Sequence, residues 1–202
     1  MIALIDYGAG NLTSVRKGFA AAGAEIFTPA SPSDLVAAHA IVVPGVGHFA
    51  ATSALGEAWT DAIRDAVERR VPLLGICLGM QWLFEGSDEA PGVRGLGAIS
   101  GISVRLPHDE TGTLKVPHVG WNSLTTPRPS RLLDGVDNGR QVYFTHSYAA
   151  PVTPQTIATC THGTTFSAAV ETETIFGVQF HPEKSSDTGI RILRNFVELA
   201  RR

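Results

Sequence analysis

The chain has 202 residues, 44% hydrophobic and 17% charged, a balance that belongs to a folded globular chain and excludes a disordered one. Sixteen Lys and Arg against nineteen Asp and Glu leave a net charge of −3, which excludes the strongly basic surface that neutralises nucleic-acid phosphates. Two cysteines, Cys77 and Cys160, are too few to staple a secreted fold, and the Cys and His spacings are not those of a zinc site. The length predicts a single domain over residues 1–202. Met1-Ile-Ala-Leu-Ile-Asp6 is too short an apolar run for a signal peptide, and no run reaches the roughly 18–20 apolar residues of a membrane span. The expectation is a cytoplasmic protein that binds neither nucleic acid nor membrane.

In chain order, Ile2–Ile5 reads as a buried strand ended by a glycine turn at Asp6–Asn11. Leu12, Val15, Phe19 and Ala22 have helical spacing, and Gly23 stops that helix. Ala24–Phe27 and Ala40–Val43 are strands, the latter ended by Pro44-Gly45-Val46-Gly47. Leu55–Val67 is an amphipathic helix, and Val71–Ile76 is a strand that runs straight into a helical Leu78–Phe84, whose Trp82 and Phe84 read as core. From about Gly97 the pattern changes to strand-like pieces at Ile99–Leu106, Lys115–Val119, Gln141–Tyr148, Gln155–Cys160, Phe166–Glu171 and Ile175–Phe180, with a loop at Pro127-Arg128-Pro129. Asp187–Leu199 closes the chain as a helix. The predicted class is α/β: an open, mostly parallel sheet flanked by helices, with antiparallel strand additions in the C-terminal half.

The strongest chemical signal is Gly75-Ile76-Cys77-Leu78-Gly79 at a strand–helix junction. A nucleophile there sits on a sharp, strained turn, and glycine two residues to either side leaves it room. The helix that follows aims its N–H groups at the sulfur, favours thiolate, and offers the Leu78 N–H to an oxyanion. The alternative is a small buried hydrophobe, a common fate of cysteine. A thiol nucleophile needs a base and a group that orients the base. Among seven histidines, His181 ends an apolar strand and is followed by Pro182 and Glu183. At the carboxyl end of a parallel strand it shares a rim with Cys77, and Glu183 is placed to accept its second N–H; a plain surface turn is the alternative. The loop at Val46 and Gly47 also follows a strand, so its N–H groups can complete an oxyanion hole, or it is an ordinary turn. Gly8-Ala9-Gly10 suggests a dinucleotide loop, but the third fingerprint position is Thr13. No metal or cofactor is called for.

Gly75–Gln81, Pro44–Gly47 and Gly177–Glu183 together resemble the class I glutamine amidotransferases, whose Cys-His-Glu triad hydrolyses the side-chain amide of glutamine. Within that family, Asp6–Asn11, Pro44–Phe49, Pro117–Asn122 and Phe144–Tyr148 are similar to the glutaminase subunits of imidazole glycerol phosphate synthases, which act in histidine biosynthesis. The resemblance implies Cys77, His181 and Glu183 as the triad, with Leu78 and Val46 or Gly47 at the oxyanion. It implies Gln81, Glu89, Ser147 and Tyr148 around the substrate. It further implies a heterodimer with a (β/α)8-barrel cyclase, met by Asn11, Trp121, Asn122 and Tyr143. Separately, Gly45 and Gly47 on either side of Val46 allow a cheap peptide flip, and the expectation is a loop that flips when the partner docks to complete the oxyanion hole. The alternatives are a glutaminase subunit of another ammonia-channelling synthase, a stand-alone cysteine hydrolase, and a scaffold with an inert Cys77.

Overall fold

The computed structural model describes residues 1–108, 114–126 and 128–201. Seven strands form the main sheet. They are β1 (Ile2–Leu4), β2 (Ile26–Phe27), β3 (Ala40–Val43), β4 (Leu73–Ile76), β10 (Thr156–His162), β11 (Thr164–Glu171) and β12 (Ile175–Val178), in the order β10-β11-β12-β4-β3-β1-β2. From β12 to β2 every pairing is parallel, while β10 and β11 add antiparallel at one edge.

The apolar alternation of β1 decides what covers each face. Ile2 and Leu4 turn to one core with Val42, Leu74, Ile76 and Phe176; Ala3 and Ile5 turn to the other with Ile41, Val43 and Leu73. Helices α1 (Leu12–Ala21) and α4 (Ser186–Leu199) close the first core with Val15, Phe19, Ile192, Leu193 and Phe196. Helices α2 (Gly56–Glu68) and α3 (Leu78–Leu83) close the second with Ile63, Ala66, Met80 and Trp82. Trp82 and Phe84 are buried, as expected.

The C-terminal additions differ from the expectation in detail. Among the described residues, only β10 and β11 extend the main sheet. Strands β5 (Phe84–Ser87), β6 (Ile99–Arg105) and β9 (Tyr148–Ala149) form a small second sheet in which β5 and β6 run parallel, and β7 (His118–Ser123) and β8 (Gln141–His146) form a two-stranded ribbon. β7 starts later than the expected Lys115 because Pro117 has no N–H to give a ladder. The expected Gln141–Tyr148 strand breaks at Ser147, where the chain passes from the ribbon to the small sheet. The run Ile175–Phe180 leaves regular pairing after Val178, so His181 follows the strand rather than ending it. Of the expected loop at Pro127–Pro129, Pro127 lies outside the described residues.

Candidate active site

Three neighbouring parallel strands, β3, β4 and β12, end on one rim of the sheet. In register, Val43 meets Gly75 and Ile76 meets Val178. The chain leaves β3 as the loop Pro44–Gly47, leaves β4 as Cys77, and leaves β12 toward His181. Cys77 donates its N–H to the Val178 carbonyl (2.8 Å), which stitches the two latter exits together.

Cys77 has φ 54° and ψ −106°, a left-handed conformation that an L residue with a side chain adopts at a cost of roughly 1–2 kcal/mol. Close packing enforces it. A Cβ on Gly75 would come within 2.7 Å of Met80 N, and one on Gly79 would strike the Val43 carbonyl oxygen. The helix after Cys77 therefore lies directly on β3 and β4, and Cys77 sits at the rim, in the wall of a cavity. On the other side, α1 and α4 press on the His–Glu turn through glycines: a Cβ at Gly18 would sit 3.0 Å from Glu183 Cβ, and one at Gly189 2.7 Å from the Pro182 carbonyl carbon.

His181 and Glu183 have side chains only 3% and 2% exposed, and His181 Nδ1 meets Glu183 Oε1 at 2.9 Å. A carboxylate only accepts, so Nδ1 carries the hydrogen and Nε2 is left for the sulfur. Nε2 has no well-formed hydrogen bond among the described residues, and neither has Glu183 Oε2. Burial pulls the imidazole down, but hydrogen bonding and charge from Cys77 and Glu183 outweigh it and raise His181 from 6.5 to about 9. The site thus favours an imidazolium next to the sulfur. Tyr7 packs nearby, its buried hydroxyl pushed well above the ordinary range by burial and by the charge of Cys77.

A cavity of about 270 Å³ opens on the sulfur. It is lined by Gly47, Cys77, Leu78, Gln81, Glu89, Pro117 and Thr145–Tyr148. All four residues expected around a substrate are there. Glu89 also accepts from the Phe49 N–H (2.7 Å), which ties it to the segment after the glycine loop. Val46 is 38% exposed and lies outside the lining. A larger hollow, about 360 Å³, lies at the opposite ends of the strands, where His39 bonds the chain's amino terminus at 3.3 Å; no candidate catalytic residue lines it.

Of the N–H groups expected to meet an oxyanion, that of Leu78 is already engaged within the chain. The Leu78 N–H points at the Gly45 carbonyl oxygen (3.4 Å). The peptide unit is planar and trans, so that carbonyl faces the site while the Val46 N–H of the same unit faces away. One rotation of the Gly45–Val46 peptide exchanges an acceptor for a donor.

The four residues expected at a partner surface divide into two pairs. Trp121 is 50% exposed, with its ring edge-on to Tyr143 at 6.0 Å, and the Lys184 ammonium lies 5.8 Å from the Tyr143 ring. Asn11 caps α1 by accepting from the Ser14 N–H (3.1 Å). Asn122 turns inward and gives both amide hydrogens to the protein, at His118 Nε2 (3.2 Å) and the Thr161 carbonyl (3.1 Å).

Sequence reasoning left unassigned the polar chain behind the pocket. His146 Nδ1 donates to the Tyr148 carbonyl (2.9 Å), so its Nε2 must accept from His118 Nδ1 (3.1 Å), whose Nε2 then accepts from Asn122. Both imidazoles are neutral: burial takes His146 down to about 3 and, with the His162 charge adding, His118 to about 4. The Tyr148 carbonyl also receives Gln81 Nε2 (2.8 Å), which donates to Gln179 Oε1 (3.1 Å), and Gln179 Nε2 donates to Cys77 Sγ (3.6 Å). The signal for Gln179 is its place two residues before His181, on the same side of an extended segment. His118 and His146 lie in the Pro117–Asn122 and Phe144–Tyr148 runs, and the ribbon sets them directly opposite one another.

These shifts give stability a definite pH profile. His118 and His146 are held below 6.5, so the unfolded chain takes up protons first and stability falls as pH drops from 6.5 toward 4 and below. His181 is held above 6.5, so its contribution is complete below 6.5 and lost as pH rises through about 9. Melting temperature is expected to peak near neutrality. Glu183→Gln, which removes one cause of the His181 shift, is expected to flatten the decline between pH 6.5 and 9; an equal slope in both chains, followed by differential scanning fluorimetry, contradicts this.

The glutamine amidotransferase class-I family model matches residues 3–200. The chain is 44% identical over 204 residues to the imidazole glycerol phosphate synthase subunit HisH of Moorella thermoacetica, covering 99% of this chain and 95% of that one. It is 43% identical to the HisH subunit of Methanothermobacter thermautotrophicus, with both chains covered in full. A crystal structure of a glutamine amidotransferase has the same fold, with a TM-score of 0.76 at 18% identity and both chains covered in full. With a family model over nearly its whole length and full-length relatives at this identity, the chain belongs to the class-I glutamine amidotransferases.

Proposed function

We propose that this chain, acting as one domain, is the glutaminase subunit of an imidazole glycerol phosphate synthase in histidine biosynthesis. It hydrolyses glutamine to glutamate and ammonia and passes the ammonia to a (β/α)8-barrel cyclase in a cytoplasmic heterodimer. The cyclase uses that ammonia to make imidazole glycerol phosphate and aminoimidazole carboxamide ribotide. The observation that carries this reading is Cys77 held at φ 54° on one strand exit with the His181–Glu183 pair on the next. The full-length likeness to HisH subunits supports the pathway.

The Cys77 thiolate attacks the carboxamide carbon of glutamine bound in the cavity with Gln81, Glu89, Ser147 and Tyr148 around it. His181 gives its Nε2 proton to the departing nitrogen, ammonia leaves, and a thioester remains. Neutral His181 then takes a proton from water as the water attacks the thioester, and glutamate and the thiolate are released. Glu183 holds the imidazole in the required tautomer throughout.

The tetrahedral oxyanion calls for N–H donors from Leu78 and from Val46 or Gly47, each worth about 3–4 kcal/mol of barrier. The Gly45 carbonyl occupies the Leu78 donor in the free chain, which supports a loop that turns only when the partner docks. Trp121, Tyr143 and Lys184 offer an exposed aromatic and cationic patch for that partner. Free ammonia in neutral water would be protonated and lost as a nucleophile, so a docked partner also shields its product.

The test is glutamine hydrolysis by the chain alone and with a candidate barrel cyclase and its nucleotide substrate. One restored donor corresponds to a rise of about 10²–10³-fold in kcat. Equal turnover alone and in the complex rules out partner-driven assembly of the oxyanion site.

A further inference from the structure

Gln179 is completely buried, and its backbone is fixed on both sides of the amide. Its N–H donates to the Ala168 carbonyl (2.9 Å), and two residues on, His181 N–H donates to the Tyr143 carbonyl (2.9 Å). The orientation of its side-chain amide follows from its neighbours. Gln81 donates to the Tyr148 carbonyl, which can only accept, so the Gln81 atom at that position is nitrogen. The same nitrogen faces Gln179, which must therefore present its oxygen to Gln81 and its Nε2 to the Cys77 sulfur. A buried amide costs stability unless both ends are bonded, and an apolar side chain of similar volume would fill the space without that cost. A hydrogen bond to an ionised acceptor is about twice as strong as one to a neutral acceptor.

We propose that Gln179 is a further catalytic residue of this centre, its amide N–H holding the Cys77 sulfur and favouring the thiolate. Gln81 and the Tyr148 carbonyl are positioning groups that keep that amide turned donor-first. The inference rests on Cys77 being the reactive thiol. Around the sulfur, the other ionisable groups are His181 with Glu183 behind it, Tyr7 after β1, and Glu89 and His146 in the cavity wall. Substituting Gln179 alters none of them directly.

The experiment is the rate of Cys77 alkylation by iodoacetamide against pH in the full chain, with the modified residue located by mass spectrometry so that buried Cys160 is scored separately. Gln179→Leu removes the donor without adding charge. Gln179→Glu keeps the size and an acceptor for Gln81 but turns an anion to the sulfur. The alkylation midpoint is expected to rise by about one pH unit in Gln179→Leu, a tenfold loss of thiolate below the midpoint, and by more in Gln179→Glu. An unchanged midpoint in either folded variant overturns the proposal. Should neither variant fold, the Gln179 side-chain nitrogen resonance of the unaltered chain decides: it shifts as Cys77 titrates, or the proposal fails. A chain whose midpoint moves as expected but which hydrolyses no glutamine keeps this assignment and refutes the proposed function.

Discussion

Cys77→Ala is expected to reduce kcat for glutamine hydrolysis by about 10⁴-fold or more while the chain stays folded. The magnitude follows from the site. Among the described residues, Cys160 is the other cysteine, and it is buried in β10, where burial pushes its thiol up to about 12. No second thiolate is poised to replace the first. Folding is expected to survive because the removed group is one small atom at the edge of the core. The strain at φ 54° makes a sharper prediction. Cys77→Gly, equally inactive, is expected to be about 1 kcal/mol more stable than Cys77→Ala, since glycine occupies the left-handed region without a Cβ penalty. Urea midpoints of the two variants check it: an Ala variant more stable than the Gly variant by glycine's extra chain entropy, about 0.5–1 kcal/mol, would mean that the turn stores no strain.

Gly79→Ala is expected to be the most damaging single-methyl addition near the site. Its new Cβ would fall on the Val43 carbonyl oxygen, a backbone atom on the strand that feeds the glycine loop. A flexible side chain can move aside; β3 cannot, because β1 and β4 pair with it on both edges. The relief has to come from lifting α3, which carries Gln81 and buries Met80, Trp82 and Leu83. Overpacking typically costs about 1–3 kcal/mol, and a clash of backbone on backbone belongs at or above the top of that range. About 3 kcal/mol lowers the melting temperature of a chain this size by roughly 6–12 °C. An alanine variant within a degree or two of the parent would mean that α3 does not lie on β3 as described.

The fold class and the residues that gather at one rim were legible in the sequence; the strand pairings that gather them were not. The apolar runs at Ile2, Ala40, Leu73 and Ile175 announce buried parallel strands, and glycines flanking Cys77 announce a strained turn. Local pattern can name Cys77 and His181, but it cannot say that β4 and β12 pair, since that adjacency is decided by packing across distant segments. For the same reason β5 went unforeseen: Phe84-Glu-Gly-Ser87 has no alternation of its own and becomes a strand by pairing with β6. Gln179 lies inside the Gly177–Glu183 motif, but a lone polar residue just past an apolar strand shows no role of its own until the sulfur and Gln81 are placed around it. The Gly45 carbonyl at the Leu78 N–H is a matter of one peptide's rotation, and glycine permits both orientations.

The pairing of the Cys77 sulfur with the His181 imidazole is tested most directly by labelling with a diazo-ketone analogue of glutamine. Tryptic mass spectrometry of the intact chain is expected to find one label, on Cys77, suppressed by excess glutamine and slowed about a hundredfold or more in a folded His181→Asn variant, the scale of a lost general acid–base partner. Labelling of Cys77 at an unchanged rate without the imidazole, or no labelling of Cys77 at all, would contradict it.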